Sequence, residues 1–410
     1  MKYYPAILGF LYSLTFFYSA HAAVSISQNC GKPAPIRQTI ILLDSAVATA
    51  ENKKQWLNTI LDIADALKKP STSLLPYERL NLFVLDRQSE DIASYFTGCS
   101  ANISDESLSE LKQQDSFIDT LLGTDSQSIV DGYKEKFYKG MVLALGQVNQ
   151  QIKTFDHNEG SFENSLLRLR NSVKLSDGIP RVFLITDLNK ITNKKFNNKE
   201  DAGRAGIELG KTVGIDFSRA EMYVINLGQP NPILQTYLDG FLLASKAYTH
   251  GARNNGIPKV DDAPVQKIIL SGRVQYGDKT LWPVQIRVAI DSGGNLVNSW
   301  ISIAIHKSED SPFRGKYLCN KLKTECTIEG DGTLLGQAWN PSTNKEMFSD
   351  EFPWAGFRYI QIGIKNDTGN VKIFQPGLFT VNSNEKNNGD GKKTTFNWDF
   401  EVNILENTDF

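Results

Sequence analysis

The sequence predicts an α/β domain with a doubly wound, mostly parallel sheet, followed by an all-β domain of the antiparallel sandwich or barrel kind. Three observations carry this expectation. Short, continuously apolar runs such as Ile40-Ile41-Leu42-Leu43 and Val182-Phe183-Leu184-Ile185 alternate with stretches of helical spacing, as in strands buried on both faces of a parallel sheet. Beyond about Ala252 the texture changes to apolar–polar alternation punctuated by Gly, Asn and Asp, the pattern of antiparallel strands joined by tight turns. The length of 410 residues accommodates two or three domains of ordinary size.

The chain opens on a segment read as a secretory signal peptide, residues 1–23. Lys2 supplies the positive start, Ile7 to Phe17 is an apolar run too short to span a bilayer, and Ala20-His21-Ala22 is a small-x-small cleavage signature. A mature product without a transmembrane segment, periplasmic or extracellular and of bacterial type, is therefore expected. Residues 24–37 form an irregular lead-in with Pro33 and Pro35.

The α/β domain is placed at 24–252. Its first strand is Thr39 to Asp44. Glu51 to Lys69 reads as a helix, with Leu57, Ile60, Leu61, Ala64 and Leu67 on one face and Pro70 as its stop. Leu80 to Leu85 is the second strand, and Ile92 to Thr97 an edge strand. Helical patterns cover residues 105–122, Ile129 to Phe155, and a segment starting near Ser161. Arg181 to Asp187 is the next strong strand. A helix over Ala202 to Val213, a strand over Met222 to Leu227 and a helix over Ile233 to Ala247 complete the domain.

A linker is expected at 253–263, because Asn254-Asn255-Gly256-Ile257-Pro258 punctuates the chain there. The β domain then spans 264–410. Its strands are read at Ile268 to Tyr276, Trp282 to Ile290, Val297 to Ile305, Tyr359 to Lys365, Val371 to Val381 and Thr395 to Ile404. Asp291-Ser292-Gly293-Gly294-Asn295 and Asn366-Asp367-Thr368-Gly369-Asn370 are hairpin turns, and Gly330-Asp331-Gly332 is another turn.

Composition narrows the function. Hydrophobic residues make up 40%, charged residues 22%, and the formal net charge is −2. That is ordinary globular composition, with no basic stripe of the kind nucleic acid requires. Cys30, Cys99, Cys319 and Cys326 remain after the leader; in an oxidising compartment an even count favours disulfides. Pairing within each domain favours Cys30–Cys99 and Cys319–Cys326, with free buried thiols as the alternative. No Cys-x-x-Cys pair occurs, and the histidines are scattered. No Gly-x-Ser-x-Gly elbow, Walker loop or dinucleotide glycine fingerprint occurs either.

The constellation that carries chemistry is a pair of acids. Asp44 and Asp187 each follow an apolar strand directly, and open α/β sheets bind ligands beyond the carboxyl ends of their strands. With Ser45, Thr186 and Ser161 nearby they would form an all-oxygen set suited to Mg²⁺ or Ca²⁺. The alternative is that the two acids cap the helices that follow or accept loop amide hydrogen bonds.

In order and character, Ile-Leu-Leu-Asp44, an amphipathic helix, a second apolar strand and then Leu-Ile-Thr186-Asp187 resemble the von Willebrand factor A family, over roughly residues 36–250. In that family the first strand ends in Asp-x-Ser-x-Ser, and a later loop adds a hydroxyl and an acid that together hold a divalent metal. The resemblance carries over Asp44 and Asp187, with Ser161 as the candidate for the later hydroxyl. This chain departs from the motif: it reads Asp44-Ser45-Ala46-Val47-Ala48, with alanines where the two serines belong. The resemblance implies a binding module whose partner is another protein, in adhesion or envelope assembly. The alternatives are a secreted metal-assisted hydrolase and a purely structural envelope protein with a decayed metal site.

Overall fold

In the computed structural model the described residues are 37–67, 69, 73–75, 78–87, 92–100, 105–151, 162–172, 179–214, 216–217, 220–254, 256–276, 280–304, 308–319, 325–333, 339–340, 345–346, 356–367, 370–375, 378–382 and 395–409. The expected signal peptide, Cys30 and Ser161 lie outside them.

The first part of the chain runs β1 (Arg37–Asp44), α1 (Lys53–Ala66), β2 (Arg79–Leu85), β3 (Ala93–Cys99), α2 (Asp105–Lys112), α3 (Phe117–Leu122), α4 (Ser126–Gln151) and α5 (Phe162–Ser172). It continues with β4 (Ile179–Thr186), a 3₁₀ turn at Leu188–Lys190, α6 (Lys199–Val213), β5 (Glu221–Asn226), α7 (Pro232–Ala244) and β6 (Tyr248–Asn254). The six strands form one sheet in the order β3-β2-β1-β4-β5-β6. All neighbours are parallel except β3, which runs antiparallel to β2 at the edge.

Both faces of this sheet are covered, which is why its strands read as unbroken apolar runs. Side chains alternate along a strand, so Ile40 and Leu42 of β1 join one core and Ile41 and Leu43 the other. On the first face Phe162, Leu166 and Leu169 of α5 pack with Ala202 of α6 and Tyr237 and Phe241 of α7. On the second, Trp56, Ile60 and Ile63 of α1 pack with Met141, Leu145 and Val148 of α4. Helix starts are set by asparagines: Asn198 accepts from the Asp201 N–H at 2.9 Å and Asn231 from the Leu234 N–H at 3.1 Å. Each satisfies an amide that a helix start leaves orphaned. Pro232 at the first position of α7 costs nothing, since its missing N–H is not needed there.

Residues 105–122 form two helices rather than one. The break lies before Ser116, whose hydroxyl accepts from the Asp119 N–H at 3.2 Å while the Asp119 carboxylate accepts from the Ser116 N–H at 2.8 Å, a reciprocal capping box. A sixth strand, β6, stands where the sequence reading ended the domain on a helix. Tyr-Thr-His-Gly-Ala-Arg-Asn is too polar to read as a parallel strand, and it is an edge strand, half-buried along most of its length.

The remaining strands are β7 (Pro264–Tyr276), β8 (Thr280–Asp291), β9 (Leu296–Ala304), β10 (Ser308–Cys319), β11 (Glu325–Thr333), β12 (Trp339–Asn340), β13 (Lys345–Glu346), β14 (Gly356–Asp367), β15 (Asn370–Gln375), β16 (Leu378–Asn382) and β17 (Thr395–Asp409). Apart from the short β12–β13 pair they form one antiparallel sheet ordered β11-β10-β9-β8-β7-β17-β16-β14-β15, and β11 also pairs with β14. The hairpin at Asp291 forms as expected: Asp291 Oδ1 accepts from the N–H groups of Gly293 and Asn295 at 2.8 and 2.7 Å, and Gly294 takes the left-handed conformation.

Gly330-Asp331-Gly332 is not a turn: it lies within β11, at a shift of register against β14. The run Val371 to Val381 divides into β15 and β16. Cys319 and Cys326 stand opposite each other on β10 and β11 and are bonded. Cys99 is also disulfide-bonded. Tyr248 of β6 meets Trp300 of β9 edge to face, with centroids 6.0 Å apart, so the two sheets touch.

Candidate functional site

The strand order reverses direction between β1 and β4. After β1 the chain winds outward through β2 and β3, and β4 then returns to the other side of β1. The crevice beyond the carboxyl ends of these two strands is where such sheets bind ligands. Asp44 and Thr186 end the two strands and Asp187 follows, so the fold brings the expected acids to one place.

Asp44 is fully buried. Its Oδ1 accepts from the Ala46 N–H at 3.1 Å and from Arg87 Nε at 3.0 Å. Its Oδ2 accepts from Arg87 Nη2 at 2.7 Å and from Thr186 Oγ1 at 2.6 Å. Arg87 stands two residues beyond β2, is itself buried, and lies 5.6 Å above the Phe162 ring. Its remaining nitrogen donates to the Lys190 carbonyl, while Lys190 Nζ donates to the Ala46 carbonyl at 3.2 Å. One arginine thus joins the ends of β1, β2 and β4.

Asp187 faces other partners. It caps the 3₁₀ turn, accepting on Oδ1 from the Asn189 N–H at 3.0 Å and from Asn189 Nδ2 at 3.3 Å. It lies against Gly228 so closely that a β-carbon there would fall 1.8 Å from Oδ1. Asn226 Oδ1 accepts from the Leu188 and Gly228 N–H groups, each at 3.0 Å, and Asn231 Nδ2 donates to Asn189 Oδ1 at 2.8 Å. Side-chain amides therefore hold the ends of β4 and β5 together. Ser45 is buried next to Asp44, and its N–H donates to the Leu85 carbonyl at 3.1 Å.

As arranged, these residues do not fit a divalent ion. A carboxylate offers about four acceptor positions, and all of those on Asp44 are filled, two of them by a guanidinium. Among the described residues no group of three or more His, Cys, Asp or Glu side chains is placed to hold a metal. The sequence reading missed Arg87 and the asparagines. Arg87 had a signal, an arginine two residues after an apolar strand, but only the register of β1 on β2 places it beside Asp44.

No protein family matches the chain, and neither does any curated protein. Among solved structures it is similar to the crystal structure of the human COPII-coat protein Sec24c. The sequence identity is 10% and the TM-score 0.32, covering 76% of this chain and 43% of that one. This chain thus spans less than half the length of that protein. Among the described residues no helix is long and apolar enough to cross a membrane.

Proposed function

We propose that the chain is an exported protein-binding module, von Willebrand factor A-like in its first part, that uses the strand-end face of its α/β sheet without a metal. The strand order with an antiparallel β3 at the edge supports the fold reading, and the ring closed by the β11–β14 pairing supports a barrel for the second part. Disulfides support an oxidising compartment.

The observation that carries the functional reading is the Arg87–Asp44 pair. An internal cation stands on the carboxylate that the resemblance assigns to a metal, and the loops around it are exposed and rich in Asn and Lys. Such a face offers donors and charge to a partner. Envelope assembly or adhesion is the role that fits export and a binding face together.

The test is affinity capture from the exported fraction of the source cells, in EDTA and in millimolar Mg²⁺. Capture indifferent to metal and lost in a Lys194→Glu/Lys195→Glu variant is the expected result. Capture that needs Mg²⁺, or a hydrolytic activity that disappears in Asp187→Ala, would overturn the reading.

A further inference from the structure

Residues 256–263 carry the chain from β6 into β7, and so from one sheet to the other. They form neither helix nor strand, yet they are not a loose tether. Pro258 and Val260 are buried while Lys259 between them is exposed. Val260, with Ile257 packed beside it, joins the core that holds Tyr223 and Ile225 of β5. Arg253 Nη1 donates to the Ile257 carbonyl at 3.0 Å, and the Asp261 N–H donates to Tyr223 Oη at 3.1 Å. The segment therefore lies as a strap on the second face of the α/β sheet.

The groups under the strap titrate. Tyr223 Oη, which accepts from Asp261, donates to Glu221 Oε2 at 3.2 Å, so one hydroxyl joins the strap to a buried carboxyl. His250 of β6 stacks on Tyr223, with Tyr248 tilted beside it. Its Nε2 lies 3.7 Å from Asp261 Oδ2, an ion pair only while the imidazole is protonated. The charged groups facing Glu221 are Asp261 from the strap, Arg37 from β1 and Arg181 from β4, and both arginines also pair with Glu78. Burial, and then Asp261, outweigh the arginines and raise the Glu221 pKa to about 7. Opening the strap removes Asp261 and admits water, which relieves both causes. The closed form therefore holds the proton on Glu221 and the open form releases it. The His250–Asp261 contact has the same sign, since its attraction is lost when the imidazole gives up its charge.

We propose that residues 256–263 are a pH-sensitive strap, closed over β5 and β6 in mild acid and released when Glu221 and His250 lose their protons. Neither sheet unfolds in this step. The strap is the covalent connection between the sheets, so its release lengthens the tether and lets them turn about the Tyr248–Trp300 contact. The switch is remote from the strand-end face: Glu221 begins β5, whereas Asp44 ends β1.

Hydrogen exchange of the full chain, read by mass spectrometry at about pH 5 and about pH 8 and corrected for the intrinsic effect of pH on exchange, tests this. Protection within residues 256–263 should fall about tenfold or more at the higher pH, the equivalent of about one pKa unit of coupling, while β4 and β5 keep theirs. Glu221→Gln removes one titrating group. Asp261→Asn removes the charge that both Glu221 and His250 meet, and it keeps the N–H for Tyr223. Each variant should shrink the difference between the two pH values, and the double variant should abolish it. Protection of β4 checks that each variant folds, and Asp261, half-buried on the strap, is the substitution that disturbs the interior least. Equal protection of the strap at both pH values in the parent overturns the proposal, as does a difference that persists in the double variant. A loss shared equally by β4 and β5 also overturns it, because that is general destabilisation and not release of a strap.

Discussion

Arg87 holds the carboxylate of Asp44 through two parallel hydrogen bonds, Nε to Oδ1 at 3.0 Å and Nη2 to Oδ2 at 2.7 Å. Both side chains are buried, at 6 and 0% exposure. Asp44→Ala therefore leaves a guanidinium uncompensated in the interior and should lower the unfolding free energy by about 3–5 kcal/mol in urea titration. Adding Arg87→Met should recover part of that loss, because it removes the stranded charge. Strictly additive losses in the double variant would show that the two groups are not coupled.

A second buried ion cluster lies at the other end of the same strand. Glu78 accepts from Arg37 Nε and Arg181 Nη2, each at 3.2 Å, from the Leu75 N–H at 2.7 Å, and from the Thr39 hydroxyl. Burial alone would raise its pKa, but the two arginines and the hydrogen bonds outweigh burial and hold it below the usual 4.5. Burial, and then Arg37, bring Arg181 down to about 10. Glu78→Gln should cost about 3–5 kcal/mol at neutral pH, measured by denaturant unfolding. Since the folded pKa is depressed, this contribution is complete above about pH 4.5 and is lost as the pH falls through the folded value. The variant should accordingly show a shallower loss of stability in acid.

Helices α6 and α7 approach closely through glycine. A β-carbon on Gly206 would stand 2.1 Å from the Tyr237 carbonyl oxygen and 2.9 Å from the Phe241 nitrogen, both backbone atoms that cannot swing aside. Gly206→Ala should destabilise by about 1–3 kcal/mol or more, through overpacking. Gly146, on the exposed face of α4, has nothing within 4 Å of its β-carbon position. Gly146→Ala should instead stabilise by about 0.5–1 kcal/mol from helix propensity. Thermal unfolding of the pair checks the opposite signs.

The sequence discloses the doubly wound sheet because burial on both faces leaves a local mark, the unbroken apolar run, at β1, β2, β4 and β5. It discloses β6 and β10 poorly. The first is a polar edge strand; the second, Ser308–Cys319, carries Pro312 and four charged residues, and pairing rather than apolar pattern makes it a strand. Asp44 and Asp187 could be placed at strand ends from the sequence, but their partners could not. Arg87 reaches Asp44 across 43 positions and Thr186 across 142, and contacts so distant in the chain depend on sheet register alone. The Gly206 contact is hidden likewise, since a glycine in a helical pattern shows its reason only when the facing helix is in place.

Glu221, fully buried at the start of β5, sets the pH dependence near neutrality. Burial, and then the neighbouring Asp261, push its pKa up to about 7, against the pull of Arg37 and Arg181 and a hydrogen bond from Tyr223 Oη at 3.2 Å. Tyr223 in turn accepts the Asp261 N–H at 3.1 Å and stacks on His250 with centroids 4.1 Å apart, so the segment leading to β7 is fastened over this carboxyl. The folded chain keeps a proton that the unfolded chain loses above about 4.5. Stability from this group is therefore full below pH 4.5, falls as the pH rises through the window to 7, and stays reduced above it. The loss should be on the order of 3 kcal/mol. Denaturant unfolding from pH 5 to 8 should show that decline in the parent and a flatter profile in Glu221→Gln, which keeps the acceptor for Tyr223 without the charge. Identical slopes in the two proteins would assign the neutral-pH dependence to other groups.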